Sequence, residues 1–137
     1  MSDNQILSLI QKAKETKATR LNLSNRNLTG LPPEIGQLTE LQVLWLNGNQ
    51  LEHLPPEIGQ LPNLRRLRLH RNRLTALPPE IGQLTGLRSL TLYSNQLTAL
   101  PPQIGNLHKL QRLFSRSRKR RSLAEDWAIR VKQNWSA

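Results

Sequence analysis

The chain has 137 residues, a length that suits one domain. Hydrophobic residues make up 36% and aromatics only 4%, so a core here must be assembled from many aliphatic side chains. There is no cysteine, which excludes disulfides and thiolate metal sites and suits a reducing, cytoplasmic compartment. The net charge of +11 is uneven: residues 109–137 hold nine Lys/Arg against two acids, and residues 1–108 hold eleven against seven.

The chain starts "MSDNQILSLIQKAKETKA". It lacks the basic region and unbroken apolar stretch of a secretory signal, and no apolar run in the sequence approaches the roughly 18 residues of a membrane span. Ser2 and Gln5 have the spacing of a capping box. Ile6, Leu9, Ile10 and Ala13 recur on one helical face. Residues 1–17 therefore read as a helix that caps the open end of the next segment.

From residue 31 onward one phrase is used four times. "LPPEIGQL" occupies residues 31–38, 54–61 and 77–84, and returns as "LPPQIGNL" at 100–107. Leu41, Leu64, Leu87 and Leu110 are one repeat apart, and so are Leu44, Leu67, Leu90 and Leu113. A period in the twenties marks a solenoid. Within a unit, "LRRLRL" alternates as a short strand with one face inward. Asn49, Asn72 and Asn95 come next at equivalent places, where a polar side chain must turn inward and satisfy backbone groups of its own turn and of the next repeat. The residue before a proline is pushed extended. The second proline suits the first position of a helical turn, with Glu34, Glu57 or Glu80 at its positive end. The glycine is expected to let that turn stop. Parallel strands stack about 4.8 Å apart, and the proline side is thicker. The stack must curve with its strands inside.

The pattern LxxLxLxxNxLxxLPPEIGxLxx resembles the 23-residue leucine-rich repeat, in the subtype of Ras-group-related plant proteins, cyanobacterial repeat proteins and Roco repeat domains. The likeness covers residues 18–114. It departs at Arg26, which stands where the first asparagine belongs, and after Leu113, where Ser115 and Arg118 replace a leucine and the asparagine. The expected fold is an α/β solenoid: a right-handed curved stack with a parallel concave sheet of about five strands, short helical or 3-10 turns on the convex side, and helical caps at both ends. The resemblance implies a scaffold or adaptor in intracellular signalling. In several such families the repeat accompanies GTPase, kinase or ligase domains, none of which these residues encode.

Residues 115–121 read as a basic linker, "RSRKRR" within it. It is either a solvated connector or a contact for phosphate, nucleic acid or an acidic partner. It has no interleaved aromatics, so stacking on single strands is not indicated. Residues 122–137 read as a second helix, with Ser122 and Glu125 as a capping box and Leu123, Trp127, Val131 and Trp135 as a narrow stripe. That helix is a lid on the last repeat, a peripheral helix for an anionic membrane or a partner's groove, or a non-native ending.

If the repeated letters are scaffold, function lies in the letters that vary. The outward strand positions include Arg20, Asn22, Val43, Trp45, Arg66, Arg68, His70, Ser89, Thr91, Tyr93, Arg112 and Phe114. None is acidic, and every aromatic residue before residue 115 is among them. Strand propensity alone places aromatics on such positions, but Trp, Tyr and Arg together are the residues of binding hot spots. Trp45, Arg66, Arg68, His70, Tyr93, Arg112 and Phe114 are the candidate partner-binding set, with Trp45 and Arg68 first. The expected partner is a protein with an acidic surface, bound by a monomer without a cofactor. Nucleic acid or membrane enters only through residues 112–121 and the tail. Catalysis is not expected. Asp3 and Asp126, at the two ends, are the only aspartates, and His53, His70 and His108 lack metal spacing.

Overall fold

The computed structural model describes residues 1–114, the last by its backbone alone. The basic segment 115–121 and the helix expected at 122–137 lie outside the described residues. Helix α1 spans Asp3–Glu15. The Gln5 N–H donates to Ser2 Oγ at 3.3 Å, and the Ser2 N–H donates to Gln5 Oε1 at 2.8 Å. Two otherwise unpaired donors are thus satisfied reciprocally. Asp3 sits at the positive end of the helix, with Lys12 and Lys14 at the negative end. Ile6, Ile10 and Ala13 are buried and Leu9 packs beside them, so α1 shields the first repeat from water.

After the helix come five three-residue strands: β1 Arg20–Asn22, β2 Val43–Trp45, β3 Arg66–Arg68, β4 Ser89–Thr91 and β5 Arg112–Phe114. They form one parallel sheet in chain order. Leu21, Leu44, Leu67, Leu90 and Leu113 fall opposite one another across it. An unvarying repeat length makes this register automatic. A slip of one residue would turn every leucine outward. The strand leucines Leu44, Leu67 and Leu90, with Leu41, Leu64 and Leu87 before them, have no exposed surface. The buried hydrophobic core of the described residues is wholly aliphatic.

Four 3-10 turns carry the opposite face: Pro33–Gln37, Pro56–Gln60, Pro79–Gln83 and Pro102–Asn106. In each, the first proline is extended, as at Pro32 with φ −70° and ψ 151°. The second proline opens the turn, where its missing N–H costs no hydrogen bond. Ile35, Ile58, Ile81 and Ile104 are buried below. The result is a curved α/β solenoid, strands on the concave side and 3-10 turns on the convex side.

Two details differ from the expectation. The turn glycines do not act as stop signals, because Gly36, Gly59 and Gly82 all have ordinary negative-side backbone. They are there for close approach. A Cβ on Gly59 would stand 2.5 Å from the Glu80 carbonyl oxygen of the next turn, and one on Gly82 would stand 2.5 Å from the Gln103 carbonyl oxygen. The asparagines reach back to the preceding repeat rather than forward to the next. Asn49 Nδ2 donates to Leu23 O and Leu46 O, both at 2.9 Å, while its Oδ1 accepts from the N–H groups of Arg26 and Leu28 at 2.9 and 3.1 Å. Asn72 bonds Leu46 O, Leu69 O and Leu51 N–H, and Asn95 bonds Leu69 O, Leu92 O and Leu74 N–H. Each side chain thereby closes the turn of the unit before it. The first unit needs no asparagine of its own, because Asn49 supplies its turn.

Candidate protein-binding face

The outward strand residues stand in rows across the sheet. The first row is Arg20, Val43, Arg66, Ser89 and Arg112, and the second is Asn22, Trp45, Arg68, Thr91 and Phe114. A third row lies past the strand ends: Asn47, His70 and Tyr93 accept, through their carbonyls, the N–H groups of Asn25, Gly48 and Arg71 at 3.0–3.1 Å. Arg20, Arg66 and Arg112 are exposed; Trp45, Arg68, His70 and Tyr93 are half-buried. Trp45 and Arg68 are direct partners in register. Phe114 shares their row by its backbone, and its side chain is not described.

His70 and Tyr93 form a stack, with ring centroids 4.5 Å apart and planes 17° from parallel. His70 Nδ1 lies 2.8 Å from the Thr91 hydroxyl. Thr91 is expected among the outward residues, but it is only 4% exposed. The neighbouring rings and the hydrogen bond take it out of the solvent-facing set and make it a support for His70. Burial pushes the His70 imidazole below its ordinary pKa, and the Arg68 and Arg71 guanidiniums push it further down. The ring is accordingly a neutral donor–acceptor near pH 7 rather than a further cation. Arg68 Nε is buried and has no hydrogen-bond partner among the described residues.

Arg71, just past the end of β3, is not in the candidate set. It occupies the position of Gly48 one repeat earlier, and both are left-handed, φ 58° and 71°. That equivalence, with His70 adjacent, is the signal in the letters. Asn47 is also missing from the candidate set; its Oδ1 is buried without a partner among the described residues.

The charge is segregated. The three rows contain no carboxylate, whereas Glu34, Glu57 and Glu80 open the convex 3-10 turns. Arg65 and Arg88, exposed just before β3 and β4, add to the basic side. Among the described residues no group of three or more His, Asp or Glu could hold a metal ion, and no helix is long and apolar enough to cross a membrane.

Known proteins carry the same architecture. The family description "Leucine-rich repeat region" matches residues 57–126, just over half the chain, and "Leucine Rich repeats (2 copies)" matches residues 19–56. The chain is similar to the leucine-rich repeat protein soc-2 homolog of Nematostella vectensis, 48% identical over 48 residues, or 35% of this chain and 8% of that protein. It is also similar to the solved structure of a leucine-rich repeat protein of Leptospira interrogans. That match has 42% identity and a TM-score of 0.56, and covers 78% of this chain and 34% of the other. This chain thus spans a small part of one relative and about a third of the other. With the leucine rows, the asparagine ladder and the parallel concave sheet all in place, the chain belongs to the leucine-rich repeat family.

Proposed function

We propose that the concave face binds an acidic segment of a partner protein. Leucine-rich repeat domains are generally protein-interaction modules. The observation that carries the reading is compositional and geometric together. Half-buried Trp45 and Tyr93 stand beside Arg66 and Arg68 on a face whose rows hold no carboxylate. Arginine forks onto carboxylates and stacks on aromatic faces, so this surface complements acidic groups with apolar ones between them. Trp45 and Arg68 are the anchors; Arg66, His70, Tyr93, Arg112 and Phe114 complete the set. The role is that of a monomeric, non-catalytic adaptor in cytoplasmic signalling.

The test is capture of partners from lysate by the wild-type chain and by the Trp45→Ala/Arg68→Ala variant. Loss of such anchors costs about 1–4 kcal/mol, so the variant should lose its partner; undiminished capture refutes the concave-face reading. A second reading rests on the +7 balance of residues 109–137: contact with a polyanion, anionic membrane or nucleic acid through residues 112–121 and the tail. Removing residues 116–137 would abolish that activity, which raised salt also weakens steeply, and would leave binding that depends on Trp45 and Arg68 in place.

A further inference from the structure

One repeat is dense in arginine. Arg65, Arg66, Arg68, Arg71 and Arg73 all belong to the unit of β3. Two of them, Arg68 and Arg71, lie near enough to the His70 imidazole to oppose its protonation. Arg68 is the register partner of Thr91, whose hydroxyl holds His70 Nδ1 at 2.8 Å. The Arg71 N–H donates to the Tyr93 carbonyl at 3.0 Å, and Tyr93 stacks on His70. The ring is fixed from two sides, and Nε2 is its uncommitted nitrogen among the described contacts. When the Thr91 hydroxyl donates to Nδ1, the ring proton sits on Nε2, where it can be given to a ligand. Arg68 adds a buried Nε without a partner among the described residues. Arg71 adopts φ 58°, a left-handed backbone uncommon for a residue with a side chain. Asn25, Gly48 and Ser94 take the same left-handed backbone at this place in the other repeats, and this repeat alone among the four places a cation there.

The geometry points to Arg68, Arg71 and His70 as a site for a phosphate monoester, carried as phosphoserine or phosphothreonine on the partner protein. This deepens the concave-face reading and rests on it. The reason for phosphate over carboxylate is the match of number and charge. A phosphate monoester near neutral pH carries a charge of roughly −1.5 to −2 and three strong acceptor oxygens. Two guanidinium forks and an imidazole N–H supply donors for all three, whereas one fork already saturates a carboxylate. No acid stands in the strand rows to repel a dianion. A bound dianion would also relieve the repulsion that Arg68 and Arg71 exert on protonated His70, so binding should draw a proton onto the ring.

The test monitors the ring resonances of His70 by NMR in the full chain. The probes are an acetylated Gly-phosphoserine-Gly amide, its glutamate counterpart and inorganic phosphate. The phosphopeptide is expected to shift His70 saturably and to bind about tenfold more tightly than the glutamate peptide, given its extra charge and oxygen. Arg71→Asn, whose side chain tolerates the left-handed backbone, should lose most of that preference with the amide fingerprint unchanged. Arg20→Gln, at the far end of the sheet, should retain it. Equal affinity for the two peptides would overturn the phosphate site while leaving recognition of acidic proteins standing. Binding unaffected by Arg71→Asn, or no shift of His70 by any probe, would overturn the site itself. Inorganic phosphate binding as tightly as the phosphopeptide would overturn the phosphoprotein as its source. Failure of the acidic-protein reading shows separately, as lysate capture that ignores Trp45 and Arg68.

Discussion

Gly59→Ala is the most direct test of how the convex side is built. An ideal Cβ there would stand 2.5 Å from the Glu80 carbonyl oxygen, 2.8 Å from Gln83 Oε1 and 3.0 Å from Glu80 Cβ. Ordinary carbon contacts are about 3.5–4.0 Å, so roughly an ångström must be found. The Gln83 side chain can swing away, but the Glu80 carbonyl is backbone inside a 3-10 turn. The stack itself must open between the second and third turns. Overpacking of this kind costs about 1–3 kcal/mol. Gly30→Ala is the control, because a Cβ on Gly30 meets nothing within 4 Å. It should be neutral or slightly stabilising, by up to about 1 kcal/mol through the unfolded chain. Gly36→Ala falls between them, since its nearest obstacle at 2.7 Å is the movable end of Gln60 and the Glu57 carbonyl stands back at 3.0 Å. Urea unfolding monitored by far-ultraviolet circular dichroism gives the order. With slopes of about 1–3 kcal/mol per molar, Gly59→Ala should lower the midpoint by about 0.5–2 M. A Gly59→Ala midpoint indistinguishable from that of Gly30→Ala would refute the close-approach account.

Asn49→Ala should cost about 1–3 kcal/mol in the same assay, because it strands buried backbone groups of the first two repeats; a neutral result would deny the ladder its structural role. Ser94→Gly should stabilise by about 0.5–1 kcal/mol, since φ is 57° there and relief of the left-handed penalty outweighs the added freedom of glycine. His70 gives a pH signature. Its folded pKa is lowered from 6.5, so below that value the unfolded chain binds more protons than the folded one. Wild-type stability should therefore fall as the pH drops through about 6.5 towards the lower folded value. His70→Gln should show a shallower fall in denaturation midpoints measured across pH, and an identical slope would contradict the burial and charge assigned to the ring.

Much of the fold is legible in the letters because the repeat over-determines it. Leucines at fixed offsets have one consistent solution, a stack with every strand in register, and the paired prolines dictate where each convex turn begins. The membership of the outward face is legible for the same reason: what is not leucine in a strand must point away from the core. Thr91 is the exception. Its outward position is correct along the strand, but the His70–Tyr93 stack beside it closes over the site, and stacking between residues of different repeats is invisible in the period. Arg71 escapes the candidate set because a loop arginine looks like ordinary surface until its backbone is seen to share a left-handed position with Gly48.

The letters alone determine the strands, their parallel order and the aliphatic core, because periodic burial has to be satisfied locally in every unit. They also determine that the concave side is basic and aromatic. Only the tertiary structure decides what the recurring small and polar letters are for. Glycine serves the approach of the next turn, asparagine closes the turn before it, and a histidine is held neutral by burial and by its neighbours' charges. These are relations between consecutive units, set by distances across the stack, and a one-dimensional repeat gives the spacing of its units along the chain without the gap that separates them in space.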